Sequence, residues 1–150
     1  LEFLDASSKP IFIGRGISSI IADEGALKMM EECYIPCVSY PGGELKHGPI
    51  ALIEEGTPVI AIAPTDSSIN SMESTIRECK ARGATVILIT DNEGTICNFA
   101  DAIIPVPTTH SDLSPLVTTP PLQLLAYHLA VKLELDVDRP RNLAKSVTVK

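Results

Sequence analysis

Glu24, Lys28 and Glu31 place two carboxylates and an amine in one short stretch of sequence. At about 100° per residue of an α-helix they fall within an arc of roughly 60° that also holds or borders Ile17, Ile20 and Leu27. Spacing alone leaves two readings open. One is a surface i, i+4 ion pair contributing a few tenths of a kcal/mol. The other is a partly buried acid and amine facing a cleft. In that case burial is expected to raise the carboxyl pKa towards neutrality and lower that of the amine, as proton transfer and imine chemistry require. A second group lies in Gly42-Gly43-Glu44-Leu45-Lys46-His47-Gly48-Pro49, where His47 stands between glycines and a helix start. The segment follows a strand, and loops at strand carboxyl ends are where open α/β sheets bind ligands. His47 is therefore either a surface side chain or a proton shuttle, a task that imidazole suits near neutral pH. The third group is the amine of Lys145, flanked by Leu143, Ala144, Ser146 and Val147 in a tail without sustained helical period.

Other chemistries lose their sequence support. The four cysteines, Cys33, Cys37, Cys79 and Cys97, offer one C-x-x-x-C pair and no suitably spaced histidines, so reduced structural thiols are expected and a zinc site is not. The run G-R-G-I-S-S (Gly14–Ser19) starts like a dinucleotide fingerprint but lacks its third glycine, and no acid ends the second strand at Tyr40. Walker A, H-E-x-x-H and G-x-S-x-G sequences are absent, so no metal and no cofactor is expected. With 12 Lys plus Arg against 19 Asp plus Glu, the formal net charge is −7, and no basic run suggests a nucleic-acid partner. No stretch reaches the roughly 18 to 20 apolar residues of a membrane span, and the amino terminus lacks a signal-peptide pattern. A cytoplasmic location is therefore the expectation. The leading residue is Leu1 rather than Met, which suggests a piece of a longer protein.

These residues need a frame to position them. The 150 residues fit one domain, and 45% hydrophobic with 4% aromatic content implies a core of Ile, Leu, Val and Ala. Strands are expected at Lys9–Gly14, Cys37–Tyr40, Pro58–Ala63, Thr85–Thr90 and Ala102–Val106. Pro58–Ala63 and Thr85–Thr90 are apolar at nearly every position, as strands covered on both faces should be. Helices are expected at Ser18–Tyr34, near Pro49, at Ser67–Arg82 and at Pro121–Leu133. The alternation predicts a three-layer αβα sandwich around a mainly parallel five-stranded sheet.

The segments G-R-G (Gly14–Gly16), E-G-A-L-K-x-x-E (Glu24–Glu31), G-E-L-K-H-G-P-I-A-L-I (Gly43–Ile53), P-L-Q-L-L-A-Y-H (Pro121–His128) and D-V-D-R-P-R-N-L-A-K-S-V-T-V (Asp136–Val149) carry a resemblance. Together they resemble the second sugar-isomerase (SIS) subdomain of the glutamine:fructose-6-phosphate aminotransferase family. The resemblance implies a flavodoxin-like SIS fold over residues 1–150, with about 136–150 a tail covering the active site, and with upstream SIS and glutaminase domains lying outside this chain. Family members make glucosamine 6-phosphate from fructose 6-phosphate and glutamine. By resemblance, Lys145 would form an imine with the open-chain sugar and Glu31 would move a proton between C1 and C2. Lys28 would support that transfer, and His47 would assist ring opening in the neighbouring subunit of a homodimer. The family's phosphate-holding S-Q-S-G-E-T type of loop has no counterpart here, Ser18 and Ser19 being a weak substitute, so the chain alone is expected to be a poor catalyst. The alternative is a non-catalytic SIS module that binds a sugar phosphate in a regulatory or dimerising role.

Overall fold

A computed structural model of the chain describes residues 2–143. Five strands, β1 (Ile11–Gly14), β2 (Val38–Pro41), β3 (Pro58–Ile62), β4 (Thr85–Thr90) and β5 (Ala102–Pro105), form one sheet in the order β2-β1-β3-β4-β5. Every neighbouring pair is parallel, with Ile11 opposite Val38 on one side and Val59 on the other. Three helices alternate with them: α1 (Ile17–Cys33), α2 (Ile69–Lys80) and α3 (Ser114–Lys132).

The alternation of side chains along each strand builds the layers. Phe12, Ile60, Ile62, Ile87 and Ile89 pack on Ala22, Ala26 and Met29 of α1 and on Leu122, Leu125 and Leu129 of α3. Their sequence neighbours Ile11, Ile13, Val59, Ala61, Val86 and Leu88 face the other way, onto Met72, Ile76 and Cys79 of α2. Both faces are thus covered, which is why β1 and β3 are buried at every residue. The edge strands β2 and β5 keep exposed positions such as Val38 and Ile103.

The expected αβα sandwich is what forms, and most element bounds shift by one to three residues. One difference is larger. α3 starts at Ser114, seven residues before the expected Pro121, and carries Pro120 and Pro121 inside it. An interior proline removes a backbone donor and costs about 3 kcal/mol in an isolated helix. Here one stripe (Ser114, Thr118, Leu122, Leu125, Ala126, Leu129, Ala130) is buried from end to end, and that packing outweighs the local preference. The expected turn at Pro49 is a 3-10 turn, Pro49–Leu52.

Candidate functional site

The turn from β1 into α1 is G-R-G. A Cβ on Gly14 would lie 2.2 Å from the Ser18 carbonyl oxygen, so only glycine lets the helix start that close to the strand. The inward face of α1 is then built from small residues: Ser18, Ala22, Gly25 and Ala26, with Met29 and Cys33. A Cβ on Gly25 would press into the Leu122 side chain at 2.9 Å and Phe12 at 3.1 Å. Close packing on this side turns the opposite flank outward. Ile17, Ile20 and Leu27 are exposed there, beside Glu24, Lys28 and Glu31.

On that flank the Lys28 ammonium donates to Glu31 Oε2 and lies 3.8 Å from Glu24 Oε1. The side chains of Lys28 and Glu31 are each 27% exposed, so the pair is partly buried and still open to solvent on one side. The Lys28 amine is pushed up from its ordinary value, first by its hydrogen bond to Glu31. Burial opposes this, and the charges of Glu31, Glu24 and Glu32 add to the rise. The expected lowering of an amine on this face is therefore corrected. Carboxylates on three sides keep Lys28 a cation, so it suits charge balance and not nucleophilic attack.

His47 is held differently. The loop after β2 is pinned by Gly42 N–H to Gly14 O at 2.7 Å, by the fully buried Leu45 and by the Lys46 to Glu78 ion pair at 2.6 Å. Glu44 and His47 sit at i and i+3 of a 3-10 turn, where side chains eclipse, and Glu44 Oε2 lies 2.8 Å from His47 Nδ1. The His47 side chain is 70% exposed. α1 runs antiparallel to the strands, so Glu31 near its end lies at the amino edge of the sheet. His47 belongs to the other face: Leu45, two residues before it, is buried with α2 on the side of the sheet opposite α1, and Lys46 next to it pairs with Glu78 near the end of α2. One chain brings Lys28 to Glu31 and leaves His47 apart from both.

Lys145 lies outside the described residues. The tail that leads to it is described as far as Leu143, and its approach is specific: Arg141 N–H donates to Tyr34 Oη at 2.8 Å, and the Arg141 guanidinium stands 4.1 Å above the Tyr34 ring. Neither Ser18 nor Ser19 offers a free hydroxyl for phosphate, since Ser18 is buried and Ser19 Oγ donates to Gly16 O. Cys33, Cys37 and Cys79 are free and buried, and desolvation pushes their thiols up to about 11, 12 and 11. Among the described residues no three His, Cys, Asp or Glu side chains converge as metal ligands, and no helix is long and apolar enough to cross a membrane. Sequence reasoning overlooked two partners. Glu44 was legible in the E-x-x-H spacing. The Tyr34 to Arg141 contact spans 107 residues and has no local signal.

A parallel sheet with its switch point between β1 and β3, covered on both faces, defines a doubly wound α/β protein of the flavodoxin-like type. The SIS domain model matches residues 3–133, and the chain belongs to the SIS domain family. It is 52% identical over 138 residues to the isomerizing glutamine–fructose-6-phosphate aminotransferase of Thermococcus kodakarensis, a match covering 92% of this chain and 23% of that protein. With the Legionella pneumophila (strain Paris) protein of the same name it shares 48% over 139 residues, 93% of this chain and 23% of the relative. Its fold superposes with a TM-score of 0.84 and 38% identity on the C-terminal domain of glucosamine-fructose-6-phosphate aminotransferase from Francisella tularensis, covering 92% of this chain and 39% of that one. The chain therefore spans less than a quarter of the length of the two aminotransferases.

Proposed function

We propose that this chain is the C-terminal half of the isomerase unit of a glutamine:fructose-6-phosphate aminotransferase, working together with an upstream SIS subdomain and a glutaminase. The observation that carries the reading is the partly buried Lys28–Glu31 pair on the open flank of α1, in a chain about half identical to enzymes of that name. A module that only binds a sugar phosphate has no chemical need for this pair or for the tail lysine.

In this reading the substrate is fructose 6-phosphate. The Lys145 amine attacks the C2 carbonyl of the open-chain sugar, and loss of water leaves a C=N bond. Ammonia released from glutamine displaces the lysine, so nitrogen stays on C2 and Lys145 is regenerated. Glu31 then takes the proton from C1 and returns one to C2, producing glucosamine 6-phosphate. Lys28 holds the Glu31 carboxylate in place and balances its charge through the cycle. His47, exposed on the loop that packs on the α2 face of the sheet, serves ring opening in a neighbouring subunit of a homodimer, which makes assembly a condition of activity. The cytoplasm is the compartment that fits free fructose 6-phosphate.

Borohydride reduction of the full-length protein carrying this chain, in the presence of fructose 6-phosphate, is expected to attach the sugar at Lys145. Glu31→Gln should keep that adduct and lose about 10²- to 10⁴-fold in synthesis, the usual worth of general acid–base catalysis. Lys145→Arg should abolish both. Trapping at another lysine, or near-normal synthesis by Lys145→Arg, would overturn the assignment. The isolated chain, without a phosphate-holding Ser/Thr loop, should make no glucosamine 6-phosphate at micromolar concentration even with added ammonia.

A further inference from the structure

The helices on the two faces of the sheet do not meet solvent alike. α2 is the ordinary case: Met72, Ile76 and Cys79 go into the core, and Glu73, Arg77, Glu78 and Lys80 occupy the rest of its surface. α3, on the other face, has no such charged side. From Ser114 to Val131 it contains no Asp, Glu, Lys or Arg. Its buried stripe packs on the sheet and α1, while Leu116, Leu124, Tyr127 and Val131 fall within an arc of about 80° on the opposite side, between 46% and 71% exposed. In the same layer α1 exposes Ile17, Ile20 and Leu27. A helix that is apolar on every side belongs inside a protein, and an exposed apolar surface of this kind marks an interface.

We propose that the outer side of α3 and the apolar flank of α1 are an interface, and that the body covering them is the upstream SIS subdomain of the same polypeptide. The inference rests on the proposed function, which supplies that subdomain. Length leaves room for it: this chain matches 39% of the solved C-terminal domain of the Francisella tularensis relative, and the remainder exceeds the matched part. The shape suits it as well. Leu116, Leu124, Tyr127 and Val131 stand at i, i+8, i+11 and i+15, a ridge of the kind that packs into the grooves of another helix, and a second domain of this fold offers helices on both faces of its sheet. Tethering decides against a second copy. A domain on a short linker meets the face at an effective concentration of about millimolar, so a second copy at micromolar concentration is outcompeted about a thousandfold. Because Glu24, Lys28 and Glu31 stand among Ile17, Ile20 and Leu27, the cover also puts the acid–amine pair at a seam between domains, where ligand pockets form.

Thiol accessibility tests the interface in two proteins. Leu116→Cys and Leu124→Cys each place one thiol on the outer side of α3, and peptide mass spectrometry separates it from Cys97. In this chain alone, at submicromolar concentration, the new thiols should react as fast as a free cysteine. In the full-length protein carrying this chain they should react at least tenfold more slowly, and labelling there at the free rate overturns the interface. A photo-crosslinking residue in place of Leu116 should join upstream residues of its own polypeptide. Crosslinks between two copies instead would overturn the proposed occupant. Leu124→Glu should leave the urea midpoint of this chain unchanged and lower synthesis by the full-length protein at least tenfold, with glutamine hydrolysis retained. Full synthesis by that variant overturns the interface too. Borohydride trapping at Lys145 beside freely reacting α3 thiols would sink this inference and leave the proposed function standing, and protected thiols without trapping would do the reverse.

Discussion

The far end of α1 and the loop after β2 carry the two halves of the candidate chemistry, and they are built on opposite plans. Lys28 and Glu31 ride on a helix whose inner face is closed down by Ala22, Gly25 and Ala26, and each is only 27% exposed. His47 is 70% exposed on a loop tied to the domain by one buried leucine, one ion pair, the Gly42 N–H to Gly14 O bond and the Thr75 hydroxyl donating to Gly42 O. In the proposed function the difference follows from what each group would need. A carboxylate that moves protons and the cation that balances it would have to keep their spacing, and a packed helix holds spacing best. A histidine that served a neighbouring subunit would have to be displayed, and a loop displays it.

That contrast can be broken most forcefully at Gly25. Gly25→Val drives a branched side chain into Leu122 and Phe12, and should cost about 3 kcal/mol by urea unfolding. The His47 ring resonances should stay in place meanwhile. An unchanged midpoint would mean that α1 is not held by close packing. Leu45→Ala tests the other region. Removing the loop's buried anchor should cost about 2 kcal/mol and broaden the His47 resonances, with the Lys28–Glu31 contact intact. Equal disturbance of both regions would mean that the two are not built differently.

Two smaller effects sharpen the picture of the packed side. The Cys33 and Cys37 thiols are pushed up to about 11 and 12 by burial near the end of α1. A thiol harder to ionise in the folded chain contributes stability that is intact below its ordinary value and is lost as pH rises towards the folded one. Stability should therefore fall between pH 8 and pH 10 by about 1 kcal/mol for each of the two. Thiol-reagent labelling at pH 8 should reach the half-exposed Cys97 long before either. A flat alkaline profile, or early labelling of Cys33, would contradict the burial of this side. The smallest change is Lys28→Gln, which should cost about 0.5 kcal/mol at low salt and less at 1 M. The loss should vanish as pH rises through the Lys28 value, because the pair pushes that value up and its stabilisation exists only while the amine is charged. A loss of several kcal/mol would place the pair in a far drier setting than its exposure indicates.

The strands at Pro58 and Thr85 were legible because an unbroken apolar run has no stable home except between two covered layers. α3 was legible only from Pro121 onwards. Its first two turns contain prolines that local preference reads as a stop, and the buried stripe that overrules them exists only once the sheet is in place. The Glu24, Lys28 and Glu31 cluster was legible by helical spacing, but the direction of the Lys28 shift was not. That direction depends on how far the flank is dried out compared with how closely the carboxylates gather.

The sequence by itself determined the parallel sheet, the order of the elements, the acid–amine flank of α1 and the family, because these rest on periodicity and on motifs read within a few residues of one another. Tertiary structure alone decided three things: that the Ile17, Ile20 and Leu27 side of α1 faces outward, that the loop of His47 packs on the opposite face of the sheet from α1, and that Arg141 meets Tyr34 across 107 residues. Each is a choice between surfaces that local spacing leaves equal. The choice is made by close packing, since only the small-residue side of α1 can approach Phe12 and Leu122.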